Sequence, residues 1–283
     1  MSARQQQGVA IVLAMSVVAL AALAAAAMMV SQGTWVRQLE LNAGHPKAQF
    51  VLQAGLDWGR AILSDDRRTS NVDYLGEPWA MRLPSSVPIE NGSLTGYLED
   101  QQARFNINNL LKSGKVDPAQ LENFRRLLSM LAVPPALADA VADWISAGGQ
   151  PLVDVAELAQ VGGFDDGIRT RLRPFVTALH RFTAVNVNTA GPEVLAAVVA
   201  GLDLDDARAL IVQRDRAYFR SAAEFSSRLP TGLTVAAENI SVNSDYFMAT
   251  MRVMVGGAQA SGMALLAHGK AGDWPVVVWR KYL

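Results

Sequence analysis

What this chain can become is constrained most by its beginning. Gly8 is followed by Val9–Val30, an uncharged run of 22 residues whose only hydroxyl is Ser16. At helical rise the run is about 33 Å long, enough to cross a bilayer as one helix. A short polar stretch, MSARQQQG, precedes it with one basic residue, Arg4. That charge favours a cytoplasmic N-terminus and an anchor that leaves the bulk of the chain outside. A secretory signal peptide is the competing reading, because Ala25-Ala26-Ala27 offers A-x-A sites. The apolar run is longer than the roughly 7–15 residues usual for such signals.

Helical patterning continues past the run. Trp35, Leu39, Phe50, Val51, Ala54, Trp58 and Ile62 recur mostly at three- or four-residue spacing, as on one helix face. Pro46 removes a backbone donor within this stretch, so a kink or local break is expected near Gly44-His45-Pro46. A helix from Val9 to Leu63 would be about 80 Å long. Asp65-Asp66-Arg67-Arg68 closes it.

A short leader ending in Gly8, an apolar run directly behind it, and a helix continuing into a soluble part resemble the type IV pilin and pseudopilin family. The resemblance implies prepilin-peptidase cleavage between Gly8 and Val9, with methylation of the new N-terminus at Val9. Two positions depart from the family pattern. The first mature residue is Val9 rather than Phe or Met, and the fifth is Leu13 rather than Glu. A charge inside an apolar fibre core is costly unless paired. In such fibres the glutamate is thought to pair with the terminal amine of the subunit ahead. A tip subunit has nothing ahead, so Leu13 is similar to what the minor pseudopilin K of type II secretion systems carries.

The chain has 283 residues, a net charge of −1 and no cysteine. That length holds an anchor plus one large or two small domains. The charge speaks against general nucleic-acid binding, which wants a clearly basic surface. Absence of cysteine excludes disulfides and thiolate chemistry and suits a periplasmic domain.

Residues 67–96 carry Asn71, Gly76, Pro78, Pro84, Pro88, Asn91-Gly92 and Gly96 and read as loops and turns. Tyr97–Ile107 is the first strand candidate. From Asn108 to about Arg228 the pattern is helical. Pro118–Leu131 places Leu121, Phe124, Leu127, Leu128 and Leu131 at helical spacing, with Asp117 as N-cap. A second helix follows Pro134-Pro135 and stops at Gly148-Gly149. Asp154–Gln160 and Asp166–Leu172 are short helices. Thr189 or Gly191 caps a helix at Pro192, a hairpin spans Gly201–Leu204, and Asp205–Arg214 is a further helix. These read as two helix-hairpin-helix or SAM-like units in tandem. Asp245–Val255, Ala260–Ala267 and Val276–Tyr282 alternate as strands of an antiparallel meander, and the earlier strand would pair with it across the helical block.

ARFNINNL at 103–110 and VNVNTA at 185–190 resemble segments of the minor pseudopilin K family, and the likeness then covers nearly the whole chain. It implies an α+β fold: a long N-terminal transmembrane helix on a small antiparallel sheet, with a large helical insert. The expected division is a leader at 1–8, a helix at 9–66 with its transmembrane part at 9–30, a sheet domain from 67–107 and 235–283, and the insert at 108–234. It implies a single-pass inner-membrane protein with its bulk in the periplasm, placed at the tip of the type II secretion pseudopilus. There it would initiate or cap fibre assembly for protein export. Implied partners are the other minor pseudopilins (I, J and H types), the major pseudopilin and prepilin peptidase.

Other chemistries fare worse. Helix-hairpin-helix units and VNVNTA also resemble competence-type DNA receptors, which gives the alternative of a membrane-anchored DNA-binding protein. However, Asp203, Asp205 and Asp206 at one hairpin and Asp165-Asp166 at the other would repel phosphate. No nucleic-acid partner is therefore expected. The family's insert is associated with calcium held by an acidic loop after Asp-Trp-Ile. Here Asp143-Trp144-Ile145 runs into Ser146-Ala147-Gly148-Gly149-Gln150-Pro151, with Asp154 and Glu157 nearby. Calcium stays open there, with no ligands assigned, and no other metal or cofactor is expected. His45, His180 and His268 lack metal-site spacing. Gly92-Ser93-Leu94-Thr95-Gly96 is no nucleophile elbow, and Gly114-Lys115-Val116 is no phosphate loop. No enzyme activity is expected. Trp35 and Trp58 are either partner contacts or pack on the chain's own sheet.

Overall fold

The computed structural model of the chain describes residues 3–81, 86–148, 151–269 and 273–283. Helix α1, Ala3–Thr69, is continuous over 67 residues, about 100 Å at helical rise. It passes through Pro46 without the expected break. Pro46 lies on the exposed side, while Gly44 and Ala48 on either side of it are buried against the sheet. Packing on both sides of the missing hydrogen bond holds the helix together, since tertiary contacts supply most helical stability. Gly44 is needed there: a Cβ would lie 2.8 Å from the Cβ of Ala258.

The sheet has five antiparallel strands in sequential order: β1 (Val87–Ile89), β2 (Gly92–Asp100), β3 (Tyr246–Val255), β4 (Ala258–Ala267) and β5 (Val276–Tyr282). The meander predicted from the C-terminal sequence is present, and β2 pairs with β3 across the helical insert, Asp100 opposite Phe247. Ala48, Leu52, Leu56 and Leu63 of α1 pack on the face formed by Phe247, Ala249, Met251, Val253 and Val255. On the opposite face Tyr246, Met248 and Leu265 meet Leu179 of the insert.

Two expectations for the segment before the insert are corrected. Residues 87–89 and 92–96, expected as loop, are strand, and the strand expected from Tyr97 ends at Asp100 rather than running to Ile107. The glycines that read as breakers are demanded by close approach. A Cβ on Gly92 would sit 1.8 Å from the carbonyl oxygen of Met254 on β3. Asn91 turns the β1–β2 hairpin with a positive φ of 58°, a conformation Asn tolerates.

The insert carries α2 (Pro118–Met130), α3 (Leu137–Gly148), α4 (Asp166–Leu172), α5 (Pro192–Val198), α6 (Leu204–Arg216) and α7 (Ala222–Ser227). Asp117 caps α2, its carboxylate accepting from the amides of Ala119 and Gln120. Gly191, not Thr189, occupies the N-cap of α5; the Thr189 hydroxyl donates to Asp100 instead. Helix α7 has no counterpart in the sequence reading. One large core fills the insert, with Phe105 stacked on Phe124 at 5.4 Å.

The two halves of the insert repeat a hydrogen-bonding scheme. Asn106 accepts from the amide of Asn108, and Asn186 accepts from that of Asn188. Asn108 then holds both backbone groups of Leu152, and Asn188 holds both of Phe219. Two residues beyond each clamped residue stands a helix cap, Asp154 or Ser221. Glu157 and Glu224 each accept from the amide four residues earlier. A short parallel bridge closes each half, Phe105–Asn106 with Val176–Thr177 and Val185–Asn186 with Ile240–Ser241. The halves join through Arg126, whose guanidinium donates twice to the Ala197 carbonyl at the end of α5.

Candidate assembly surface and its joint

The lower part of α1 offers an apolar cylinder. Val12–Gln32 is the candidate membrane span, 21 residues with none buried. Leu13 lies in it, 64% exposed. Gly8 and Val9 are on the same helix by backbone, while their side chains lie outside the described residues. Ser16 donates to the carbonyl of Val12, one turn back, so the run's single hydroxyl needs no outside partner. Above the span, Trp35 is 68% and Trp58 46% exposed. Trp35 stands exposed, whereas Trp58 is half-buried and lines a cavity with Tyr97 and Leu98 of the sheet. α1 turns Leu52, Leu56 and Leu63 to the sheet.

Sequence reading missed the joint between α1, the sheet and the insert. Asp100, at the end of β2, is buried and accepts from the Thr189 hydroxyl (2.5 Å), the Ser244 hydroxyl (2.7 Å) and the Asn186 amide (3.2 Å). Asp73 accepts from the Ser244 amide. Asp66 on α1, Asp73 and Glu77 bring carboxylate oxygens within 4.8 Å of one another. Glu77 is held by the Trp79 indole N–H at 2.8 Å and the Tyr74 amide. Burial pushes Asp73 up to about 8, countered by the Ser244 amide and reinforced by Asp100, Asp66 and Glu77. Burial and then Glu77 push Asp66 up to about 6. Burial also raises Asp100, against four hydrogen bonds that favour its charge. The joint thus retains protons that free carboxylates would lose. Tyr74 stacks on Tyr218 of the insert at 4.1 Å and closes its outer side.

Among the described residues, the insert brings no three carboxylates together for the implied calcium. Asp154 is used as a cap, its carboxylate accepting from Ala156, and Glu157 accepts from Val153. Gly149 and Gln150 lie outside the described residues. Among the described residues the one converging group of three carboxylates is Asp66, Asp73 and Glu77, outside the insert. The three histidines are dispersed. His45 is exposed, His180 meets the Tyr246 hydroxyl at 3.3 Å, and His268 is half-buried and pushed down to about 4 by burial. At the hairpins, Asp203 accepts from the Asp206 amide and Asp165 from that of Ile168. Carboxylates occupy the helix-terminal amides that a phosphate would seek.

Two family models, both described as type II secretion system (T2SS), protein K, match residues 103–181 and 185–243. Type II secretion system protein K of Pseudomonas aeruginosa is 30% identical, over 95% of this chain and 91% of that one. The Klebsiella pneumoniae protein is 29% identical over 98% and 97%, and the Aeromonas hydrophila protein 27% over 95% of each. The fold is shared with a chain in the crystal structure of the GspK-GspI-GspJ complex from the type 2 secretion system of enterotoxigenic Escherichia coli. The TM-score is 0.72 at 22% identity, covering 84% of this chain and 96% of that one. With these relatives matching it nearly end to end, the chain belongs to the type II secretion system protein K family.

Proposed function

We propose that this protein is the tip subunit of the type II secretion pseudopilus, a minor pseudopilin that initiates or caps the fibre. The observation that carries this reading is Leu13. An uncharged residue stands on an apolar, exposed helix where fibre subunits of the wider family carry Glu. Buried in a helical bundle, Leu13 has no need of a cationic partner from a subunit ahead. The insert adds bulk above the sheet and leaves little room for a further subunit to stack.

In this reading residues 1–8 are the leader, removed after Gly8, and Val9 is the methylated first residue. The helix is 9–66 with its transmembrane part at 9–30. The sheet domain is 67–107 with 235–283, and the insert is 108–234. The two halves of the insert are SAM-like helix-hairpin-helix units, a reading supported by their repeated asparagine clamps. The protein is anchored in the inner membrane with its bulk in the periplasm. It meets the I-, J- and H-type minor pseudopilins and the major pseudopilin, and its role is mechanical rather than catalytic. The solved relative in a GspK-GspI-GspJ complex supports the I and J partners.

The deciding experiment is intact mass spectrometry of the membrane-extracted protein. A chain that starts at methylated Val9 is expected. A chain starting near residue 28 would mean a cleaved secretory signal, and an uncut Met1 would leave a plain anchor; either overturns the pseudopilin processing.

A further inference from the structure

Three carboxyl groups meet where α1 ends. Asp66 lies in the last turn of the helix, and Asp73 and Glu77 belong to a strap, residues 70–77, that leaves it. Their oxygens come within 4.8 Å of one another, and the three residues are 8%, 4% and 5% exposed. Among the described residues no basic side chain forms an ion pair with any of them. The two arginines of that turn are engaged elsewhere, Arg67 with Asp245 at 3.3 Å and Arg68 with Asp65 at 2.9 Å.

Asp73 fastens the strap to the base of the insert, where Val185–Asn186 pairs with Ile240–Ser241. Its amide donates to the Val242 carbonyl at 2.9 Å, its carbonyl accepts from the Asn186 side chain at 3.1 Å, and its carboxyl accepts from the Ser244 amide at 2.7 Å. The next residue, Tyr74, stacks on Tyr218. One buried acid therefore ties the end of α1 to two stretches more than a hundred residues away in sequence. The remaining contacts do not pass through it. Leu52, Leu56 and Leu63 hold α1 on the sheet, and the insert has its own core.

Asp66 and Asp73 hydrogen-bond to each other, and two carboxyl groups can do so only with a proton on one of them. Three buried carboxylates at this spacing repel when all are ionised. The groups that face them do not relieve this. Asp65 and Arg67 lie on α1, Tyr74 on the strap, Asp100 at the end of β2 and Tyr218 on the insert. Arg67 is already matched by Asp245, and His268 beside that pair is pushed down to about 4 by burial and so is neutral. Burial pushes Asp73 up to about 8 and Asp66 up to about 6. The fastened strap thus binds more protons than a released one. Fastening is strongest below about pH 4 and is lost as pH rises towards about 8.

We infer that residues 70–77 form a proton-locked strap: a proton shared by Asp66 and Asp73 fastens the end of α1 to the base of the insert, and its loss frees the strap while helix, sheet and insert stay folded. The device sets how stiffly the insert is carried on the helix. It goes beyond the assembly reading and does not depend on it.

The test is hydrogen-exchange mass spectrometry of the full-length, detergent-solubilised chain at about pH 5.5 and about pH 8.5, corrected for the intrinsic exchange rate. Protection in peptides covering 72–77 and 242–245 is expected to fall by about tenfold or more at the higher pH, while β3 and β4 keep theirs. Asp73→Asn keeps an acceptor for the Ser244 amide and gives Asp66 a permanent donor. Asp66→Asn gives Asp73 such a donor and serves if the first variant fails to fold. Each should hold the strap several-fold more protected than wild type at about pH 8.5. Protection of the wild-type strap that does not change with pH would overturn the inference. So would an equal fall in both variants, which would mean that the two acids hold no proton. A fall shared by β3, β4 and α2 would overturn it as well, because the whole chain and not the strap would then be opening.

Discussion

The side chain of Asn188 grips both backbone polar groups of Phe219, donating to its carbonyl at 2.9 Å and accepting from its amide at 2.8 Å. Both residues are buried, so neither backbone group has water to fall back on. Asn188→Ala orphans two groups, at about 1–3 kcal/mol each. The expected loss is about 2–4 kcal/mol in urea unfolding of the detergent-solubilised chain. Asn108→Ala, which releases Leu152 in the same way, should cost a comparable amount. A loss below 1 kcal/mol in both would show that the clamps are dispensable.

The joint predicts a pH dependence. Asp73 has its folded pKa raised from 3.8 to about 8, and Asp66 from 3.8 to about 6. Between the unfolded and folded values the folded chain binds more protons than the unfolded one. Stability therefore falls as pH rises from about 4 to 8, by up to about 1.4 kcal/mol per pH unit for each proton. Asp73→Asn keeps an acceptor for the Ser244 amide and removes the titrating group. It should flatten this fall and be more stable than wild type at pH 8, as read by thermal melting across pH. An equal slope in both proteins would mean that Asp73 does not hold the proton.

Leu13→Glu would place a carboxylate in the exposed apolar span. Acidic residues at such depth cost roughly 2.5–3.5 kcal/mol. With no subunit ahead to supply a cation, the variant should insert no better than wild type and gain nothing in pseudopilus assembly, scored by fibre counts and export. A clear assembly gain would remove the tip assignment.

Gly92→Ala meets the Met254 carbonyl, since the new Cβ would lie 1.8 Å from that oxygen. The strand must move to accommodate it, at a cost of about 1–3 kcal/mol or more. Gly114→Ala is the control. Nothing lies within 4 Å of its Cβ position, and only its φ of +75° opposes substitution. The Gly92 variant should melt lower than the control.

Long-period features were legible in the sequence, and close-range ones were not. The apolar run, the caps Asp117 and Gly191 and the alternation from Tyr246 to Val255 each leave a local pattern, and each stands in the structure. The first half of β2, residues 92–96, was missed because Gly92 answers to the carbonyl of Met254, far away in sequence. The asparagines of FNINNL and VNVNTA stood out, but their partners are backbone groups of apolar residues, Leu152 and Phe219, that carry no sequence mark of being gripped. Asp66, Asp73, Glu77 and Asp100 share no spacing that marks them as a group in the sequence. Only folding brings them to one point, and only burial changes their protonation. The row Phe50-Ala54-Trp58 was visible as helical spacing, but which side of α1 the sheet covers was not.

The pairing of Asp100 with Phe247 also has a consequence for the newborn chain. During synthesis α1 and β2 emerge long before β3, β4 and β5, so Leu52, Leu56 and Leu63 have almost no sheet to cover them. Closing so long a loop from an unfolded chain is entropically costly and slow. A finished insert removes that obstacle, because its parallel bridge from Val185–Asn186 to Ile240–Ser241 delivers the chain to Tyr246 beside the end of β2. Until then a greasy helix tethered to the membrane is left uncovered. A lesion in the insert, such as a broken asparagine clamp, should therefore surface as aggregation or proteolysis of the helix.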